Sequence, residues 1–198
     1  TSNFAKDWLN SVMTESLKYR AYVQKVLAEN NLPQELQYLP VIESSYKISA
    51  LSKSGAYGMW QFMKNSISPF NIRINSWMDE RKDPWLTTNA AVKKLKENYD
   101  YLGSWELALA AYNCGLGAMN RTIKKAGNSD FWYLAEKGFL KTETKNYVPK
   151  FLAICHILDN KEEYGLEFPE PNLKTDNSVT FAEISVNRSI DLGILAEK

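Results

Sequence analysis

The chain of 198 residues is 44% hydrophobic, which is enough to bury one sizeable core, so a single main domain is expected. Its 24 Lys and Arg residues nearly balance its 23 Asp and Glu residues, and the net charge of +1 disfavours nucleic acid as a partner. We expect neither a transmembrane segment nor a signal peptide, because no apolar run approaches roughly 20 residues and the start lacks charged and apolar regions.

The first part of the chain predicts three helices. Apolar residues recur every three or four positions between 8 and 27, which predicts an amphipathic helix that closes at the Asn-Asn pair after it. A short second helix is predicted at 33–44, with a bend at Pro40, because proline removes a backbone hydrogen bond. After a loop rich in Ser and Gly, residues 57–64 are predicted to form a short buried helix.

The following part is also predicted to be helical. Asp83 and Pro84 form a strong start for a helix that runs to about Tyr101. Ser104 caps the next helix, which ends before Gly115. Further helices are expected at about 118–126, 130–137 and 143–159. The pattern therefore predicts a mainly α fold, a compact set of helices.

The composition changes after the last of these helices. Pro169, Pro171 and polar residues break every period, so a linker is predicted at 161–177. Beyond it, SVTFAEISV alternates like a strand and SIDLGILAEK resembles the capped start of a helix. We therefore divide the chain into a helical domain at 1–160 and a linker with a small C-terminal extension at 161–198.

One acidic residue is a candidate for catalysis. Glu43 falls in the last turn of the predicted second helix, where the helix dipole disfavours ionisation. If it faces a cleft, the apolar neighbours Val41 and Ile42 favour the protonated form as well. A protonated glutamic acid near neutral pH can protonate a leaving-group oxygen. The periodic pattern alone favours a solvated residue at a helix end.

Several motifs occur in a definite order along the chain. They are Glu43-Ser44, SKSGAYG, GMWQ, AYN with Gly115 and Gly117 behind it, and ETKNYV. In this order and with these gaps they resemble the motifs of the family 1 lytic transglycosylases, over about residues 20 to 160. GMWQ, MDERKDP and ETKNYVPK are most similar to the membrane-bound D type. The resemblance implies a goose-lysozyme-like helical domain.

The resemblance also implies a reaction. In this family the β-1,4 bond between N-acetylmuramic acid and N-acetylglucosamine is cleaved without water, and a 1,6-anhydro ring is formed. Glu43 is implied as the sole catalytic acid and base, with Glu143 in a supporting role. Ordinary glycosidases need two carboxylic acids at defined separations. No metal and no cofactor is expected.

Further site residues are implied by position in the motifs. They are Ser52, Ser54, Gln61, Met63, Tyr112, Asn113, Glu143 and Tyr147. The resemblance implies that Ser52 and Ser54 hydrogen-bond the acid and orient the substrate acetamido group, while Gln61 binds sugar and Met63 lines the floor. Tyr112 is expected to contact Glu43 or substrate, and Tyr147 the acetamido side. Ordinary loop hydroxyls and core tyrosines are the structural alternatives.

Other residues have mainly structural interpretations. Gly55 and Gly58 are expected to let the backbone approach a sugar closely. Trp60 is assigned to the core, and His156 to the core or its rim. Four more tryptophans have side chains able to stack on sugars, although core packing is favoured for most of them: Trp77, Trp85, Trp105 and Trp132. Cys114 and Cys155 lack metal or disulfide spacing.

The expected function is therefore that of a peptidoglycan lytic transglycosylase. Its partners are peptidoglycan glycan strands, it is expected to be a monomer, and its substrate implies the bacterial cell envelope, in the periplasm or at the outer membrane. A muramidase of the same fold, in which Glu43 activates water, is the first alternative. A non-catalytic glycan-binding module and a generic helical interaction domain are the others.

Overall fold

A computed structural model describes residues 3–171 of the chain. In this part the regular structure is helical, with only isolated β-bridges in the loops. The α-helices are α1 (Asn3–Glu29), α2 (Leu39–Ser44), α3 (Pro84–Leu102), α4 (Trp105–Cys114), α5 (Leu116–Ala126), α6 (Phe131–Glu136) and α7 (Thr142–Asp159). Short 3-10 helices lie at Gln34–Tyr38, Lys64–Ser66, Ser68–Phe70 and Glu80–Lys82. The predicted mainly α class is confirmed.

Helix α1 ends at the predicted place. The Asn30 side chain donates a hydrogen bond to the carbonyl of Val26 at 2.8 Å, which satisfies one of the last carbonyls of the helix. Asn31 then adopts a left-handed conformation with φ of 54°, a conformation that asparagine tolerates well. The apolar face of α1 is buried in the core.

The predicted second helix is two helices. A 3-10 helix occupies Gln34–Tyr38, and α2 begins directly after it at Leu39. Pro40 therefore lies in the first turn of a new helix, where its missing N–H costs nothing, and the predicted bend within one helix is wrong. Ser45, with φ of 55°, ends α2 two residues after Glu43.

The predicted helix at 57–64 is also wrong. Tyr57 and Phe62 exchange two backbone hydrogen bonds of 3.1 Å, so this segment forms a tight turn between antiparallel bridge partners. Gly58 and Gln61 have positive φ of 83° and 52°, which an α-helix does not allow. Met59, Trp60 and Phe62 are all buried in the turn. Such closely spaced apolar residues also occur in a short buried helix, so the sequence pattern did not distinguish the two. We call residues 51–63 the cleft loop.

Helices α3 and α4 start as their caps predict. The Asp83 carboxylate accepts hydrogen bonds from the backbone N–H groups of Trp85 and Leu86, each at 2.9 Å. The Ser104 hydroxyl accepts one from Leu107 at 3.3 Å. Helix α4 is buried along most of its length and packs against α3, α5 and α7. It is the central helix of the domain, and its C-terminal end reaches the cleft described below.

The segment after α7 packs back onto α1. Leu166 and Phe168 are buried in the core, and the fully buried Arg20 donates a hydrogen bond to the carbonyl of Pro169 at 2.8 Å. Arg20 also pairs with Glu170 at 3.1 Å. This part of the predicted linker therefore lies against the helical domain. The boundary at 160/161 stays a prediction.

The predicted strand and helix of the extension lie outside the described residues. Between residues 3 and 171, none of the helices combines the length and the hydropathy that a membrane span requires.

Candidate active site

One cleft of about 560 Å³ collects the predicted site residues. It lies between the end of α2, the cleft loop, the end of α4 and one face of α7. Its lining includes every one of them: Glu43, Ser52, Ser54, Gln61, Met63, Tyr112, Asn113, Glu143 and Tyr147. Residues about a hundred positions apart therefore meet in one place, while their chemical roles stay predictions.

Glu43 and Tyr147 form the central contact of the cleft. The Tyr147 hydroxyl donates a hydrogen bond to Oε1 of Glu43. Tyr147 is buried on α7, so its ring has little freedom to leave this position. The hydroxyl consequently fixes one oxygen of the carboxyl group and leaves Oε2 for other partners.

The surroundings of Glu43 favour its protonated form. Burial raises the pKa of its carboxyl to about 7 and outweighs the hydrogen bond from Tyr147, which lowers the pKa. The positive charges of Lys94 and Lys150 lower it further, and the negative charge of Glu143 raises it slightly. The raised pKa expected from the sequence is confirmed, with burial as its main cause.

Lys94 is a cation behind the cleft that the sequence reasoning missed. It projects from α3, and its Nζ donates a hydrogen bond to the carbonyl of Tyr112 at 3.1 Å. The same ammonium lies 4.3 Å from the centre of the Tyr112 ring. Burial lowers the pKa of Lys94, against the effect of the Glu43 charge. The sequence marks Lys94 only as one of many charged residues on an amphipathic helix.

The hydroxyl of Tyr112 is hydrogen-bonded to the cleft loop and not to Glu43. It donates a hydrogen bond to the carbonyl of Trp60 at 2.9 Å, so it holds the turn of the cleft loop in place. Trp60 is fully buried, as predicted, and its Nε1 donates to the Thr88 hydroxyl at 2.9 Å. Tyr112 therefore links α4 to the cleft loop, and the expected bond to the acid is replaced by a structural one.

Ser52 and Gln61 hold the cleft loop from within. The Ser52 hydroxyl accepts a hydrogen bond from the backbone of Ala56 at 2.9 Å and lies 3.0 Å from the Ser54 hydroxyl. The Gln61 amide nitrogen donates to the carbonyls of Ala50 and Gly58 at 3.0 and 2.8 Å. The structure shows no hydrogen bond from either serine to Glu43, although all of these side chains reach the cleft.

Gly58 allows the cleft loop to lie close to the backbone of Arg81. A Cβ at this position would lie 1.9 Å from the carbonyl oxygen of Arg81. The buried Arg81 side chain in turn donates hydrogen bonds to the carbonyls of Gly55 and Phe62 at 2.9 and 3.1 Å. The expectation that Gly58 makes room for a sugar is therefore wrong. The MDERKDP motif contains Arg81, but the motif did not show that the Arg81 side chain holds the cleft loop by hydrogen bonds.

The end of α4 is tied to the start of α7. The Thr144 hydroxyl donates to Oδ1 of Asn113 at 2.8 Å, which turns the amide nitrogen of Asn113 towards Glu143, 3.4 Å from its Oε1. Glu143 is exposed, unlike Glu43. These contacts place a second carboxylate on the rim of the cleft.

Two further lining residues were missed on α7. Asn146 and Lys150 line the cleft together with Glu143 and Tyr147. These four positions are three or four residues apart and so share one face of the helix. The helical spacing was the signal that would have found them.

Residues outside the cleft have structural positions. His156 is exposed, and its ring lies 5.9 Å from that of Tyr164, so it belongs to the rim. Cys114 and Cys155 are free thiols. Within residues 3–171 no group of His, Cys, Asp and Glu side chains is arranged to hold a metal ion.

The arrangement provides acid and base chemistry from one carboxyl group. A group with a pKa near 7 is present in both protonation states around neutral pH, so it can give a proton and take one back. The carboxyl group of Glu43 is held by Tyr147 and faces an open cleft in which hydroxyl, amide and thioether side chains surround any ligand.

Comparisons with known proteins identify the family of the chain. Residues 21–135 match the Transglycosylase SLT domain. The chain is 31% identical over 197 residues to the membrane-bound lytic murein transglycosylase D of Escherichia coli K12, covering 97% of this chain and 42% of that protein. It is 30% identical over 141 residues to the peptidoglycan transglycosylase gp16 of phage T7, covering 69% of this chain and 10% of that protein.

A solved structure shares the fold. An inactive mutant of the lytic transglycosylase Slt from Pseudomonas aeruginosa matches with a TM-score of 0.58 and 21% identity, covering 75% of this chain and 25% of that one. This likeness confirms the lysozyme-like helical fold expected for the domain. The chain spans 42% of the length of its Escherichia coli relative. Because the domain match extends over more than half of the sequence, the chain belongs to the family of transglycosylase SLT domains.

Proposed function

We propose that this chain is a peptidoglycan lytic transglycosylase. It cleaves the β-1,4 bond between N-acetylmuramic acid and N-acetylglucosamine and leaves a 1,6-anhydro end on the muramic acid. The observation that carries the proposal is Glu43, whose pKa of about 7 and hydrogen bond from Tyr147 suit a single residue that acts as acid and then as base. The family membership and the named relatives support it.

The first step uses the protonated form of Glu43. Its carboxyl proton passes to the glycosidic oxygen, and the bond electrons leave with the N-acetylglucosamine side. The electron-poor C1 is stabilised by the 2-acetamido oxygen of the substrate itself. This step leaves Glu43 as a carboxylate, whose charge the ammonium groups of Lys94 and Lys150 stabilise.

The second step returns the proton. The Glu43 carboxylate takes the proton of the C6 hydroxyl, and O6 bonds to C1 to close the anhydro ring. Glu43 is protonated again, so no water is consumed and the cycle is balanced. The hydrogen bond from Tyr147 holds one carboxyl oxygen throughout, which keeps the other in line with the substrate.

A hydrolytic muramidase is the alternative reaction of the same site. Glu143, a second carboxylate lining the same cleft, is the observation that favours it, since hydrolases commonly use two acids. Glu143 is exposed and its amide partner Asn113 lies 3.4 Å away, which suits a supporting role better than that of a catalytic acid.

Mass analysis of the products separates the two reactions. Purified peptidoglycan digested with this chain should release muropeptides that are lighter by one water than the products of hydrolysis. A parallel digestion with the Glu43→Gln chain controls for contaminating enzymes and should release nothing. Reducing ends in place of anhydro ends would establish the muramidase, and no products at all would leave a glycan-binding module.

The proposed substrate also implies a place and a partner. The partner is the glycan strand of peptidoglycan, and the place is the bacterial cell envelope, in agreement with the membrane-bound description of the Escherichia coli relative. A monomeric state suffices, because all the proposed catalytic groups come from one chain.

A further inference from the structure

Trp77 is displayed on the surface to an unusual extent. Its side chain is 96% exposed, whereas Trp60 is fully buried and Trp132 is 48% exposed. An indole leaves a large apolar area in water when it is fully exposed, and burying that area on a ligand is favourable. The sequence marked Trp77 as one of four tryptophans able to stack on sugars and favoured core packing for most of them, and the structure leaves Trp77 outside the core.

The segment that carries Trp77 is a braced hairpin. We call residues 73–80 the Trp77 hairpin. Its two arms are joined by hydrogen bonds from Asn75 N to Met78 O at 2.8 Å and from Glu80 N to Arg73 O at 3.0 Å, around an isolated β-bridge between Ile74 and Asp79. The Asn75 side chain accepts hydrogen bonds from the backbone of Trp77 and Met78, each at 2.9 Å. The indole therefore sits on a preorganised turn, which lowers the entropic cost of binding a ligand.

The Trp77 hairpin is fixed to the cleft loop. Its residue Asp79 pairs with Arg81 at 2.6 Å, and Arg81 donates hydrogen bonds to the carbonyls of Gly55 and Phe62. Trp77 is two residues from Asp79, so at most about 7 Å of extended chain separates them. The same arginine thus holds both the cleft loop and the base of the hairpin.

The hydrogen bonds of Arg81 give the position along the cleft. Arg81 pairs with Asp79 of the hairpin at 2.6 Å and donates to the carbonyl of Phe62 at 3.1 Å. Phe62 directly precedes Met63, which lines the cleft. The hairpin therefore lies beside the Met63 end of the cleft.

We propose that Trp77 is a stacking platform for a sugar ring of a glycan strand that extends past the Met63 end of the cleft. This inference rests on the proposed function. A cleft of about 560 Å³ has the size of a site for a small molecule, whereas a glycan strand continues beyond it. The faces of a pyranose ring carry C–H groups that pack on an indole, and a polymer supplies such a ring at each step along its length.

The surroundings of Trp77 suit a sugar better than a lipid surface. A segment that inserts into a membrane presents several apolar side chains together with cations. Here the exposed indole of Trp77 has Asn75, Ser76 and Asp79 as close neighbours in the chain, and Met78 beside it is 37% exposed. The exposed cation of the hairpin, Arg73, is paired with Glu80 through a hydrogen bond of 2.8 Å and so offers no free positive charge to a phospholipid. An exposed aromatic ring among mostly polar groups suits an amphipathic ring such as a sugar.

The test measures binding to glycans of two lengths. In the Glu43→Gln chain, which holds substrate without turnover, Trp77→Ala should weaken binding to long peptidoglycan strands without stem peptides by about tenfold. Binding of a tetrasaccharide, made of two disaccharide units and short enough to fit within the cleft, should not change. Trp77→Phe should restore part of the affinity for long strands. Phe4→Ala, which removes an aromatic ring that is 82% exposed on α1, is the matched control and should have no effect.

Each other outcome overturns the proposal. Unchanged binding of long strands by the Trp77→Ala chain would remove Trp77 from glycan recognition. An equal loss for short and long glycans would show that the substitution acts on the cleft itself, so the proposed contact beyond it would be wrong. If the variant instead loses binding to vesicles of anionic phospholipid while its glycan affinity is unchanged, the ring belongs to a membrane contact. Anhydro products from the unaltered chain would leave the proposed function standing in all these cases, and their absence would refute that function separately.

Discussion

The two walls of the cleft are held by different forces. The wall formed by α2, α4 and α7 presents side chains from helices that are fixed by packing in the core, and α4 is also capped by Ser104. The cleft loop has no regular structure, and its shape depends on hydrogen bonds to its backbone from Arg81, Gln61 and Tyr112. Chemistry is thus concentrated on the helical wall and shape on the loop wall, so changes in the two walls should have separable effects.

The largest effect is expected at Glu43 on the helical wall. Glu43→Gln keeps the shape of the side chain and removes the transferable proton, so the rate should fall by about 10²-fold to 10⁴-fold. The rate is measured as release of soluble muropeptides from purified peptidoglycan. Glu143→Gln, at the exposed carboxylate of the same cleft, is the matched control and should cost much less. A folded Glu43→Gln protein with a normal rate would remove Glu43 from the mechanism.

On the loop wall, Gly58→Ala should act mainly on stability. The new Cβ meets the Arg81 carbonyl and the backbone has φ of 83°, so the free energy of unfolding should fall by about 2 to 4 kcal/mol. Gly55→Ala is the control, because Gly55 also has positive φ but nothing lies within 4 Å of an added Cβ. Its cost should be about 1 kcal/mol. Equal losses in urea denaturation for the two variants would show that the close contact with the Arg81 carbonyl does not restrict position 58.

Tyr147→Phe, also on the helical wall, should lower the rate less than Glu43→Gln does. Loss of the hydroxyl should lower the rate roughly tenfold, because the hydrogen bond matters most as charge develops on Glu43. That bond lowers the pKa of Glu43, so its removal should raise the pKa and move the alkaline fall in activity to higher pH. The stability should fall by at most about 1 to 2 kcal/mol.

A pH-rate profile together with thermal unfolding measures these effects. A lower melting temperature with an unchanged rate and an unchanged profile would return Tyr147 to a purely structural role. Tyr112→Phe is the companion variant, since its hydroxyl holds the loop wall through Trp60. It should reduce stability without moving the alkaline limb.

The smallest effect is expected in the pH dependence of stability. The pKa of Glu43 is raised from 4.5 to about 7, so the folded state holds a proton that the unfolded state releases. Stability should therefore decrease as the pH rises from about 4.5 to about 7 and stay level above that range. The effect is limited because Glu43 is partly open to the cleft. Melting temperatures of the unaltered and Glu43→Gln chains should diverge over this range, and parallel curves would contradict the raised pKa.

The helical wall was largely predictable from the sequence. Ser104 caps α4, and Asp83 caps the neighbouring α3; each cap acts on adjacent residues, and both helices were predicted correctly. Helix α2, which carries Glu43, was predicted only as part of one longer helix. The membership of the cleft followed from the order of the motifs. The burial that raises the pKa of Glu43 was expected from its apolar neighbours.

The loop wall was not predictable in the same way. The apolar residues around Trp60 fit a helix as well as a buried turn, and contacts from distant parts of the chain, among them the one with Arg81, favour the turn. That contact joins positions 23 apart, and the bond from Tyr112 to Trp60 joins positions 52 apart. Such pairings have no periodic signature. The exposure of Trp77 could not be predicted from its neighbours in the sequence either, because it depends on which distant segments pack over that residue.

The segment after α7, residues 160–171, packs on α1 and has a practical consequence for engineering this domain. The Arg20 guanidinium is completely enclosed, and the carbonyl of Pro169 and the carboxylate of Glu170 are its partners. A version truncated after residue 160 would strand this cation without a counterion and uncover the site filled by Leu166 and Phe168. Expression and domain-exchange experiments should therefore keep the chain at least to Pro171, so that Arg20 keeps its partners and the core of the helical domain stays covered.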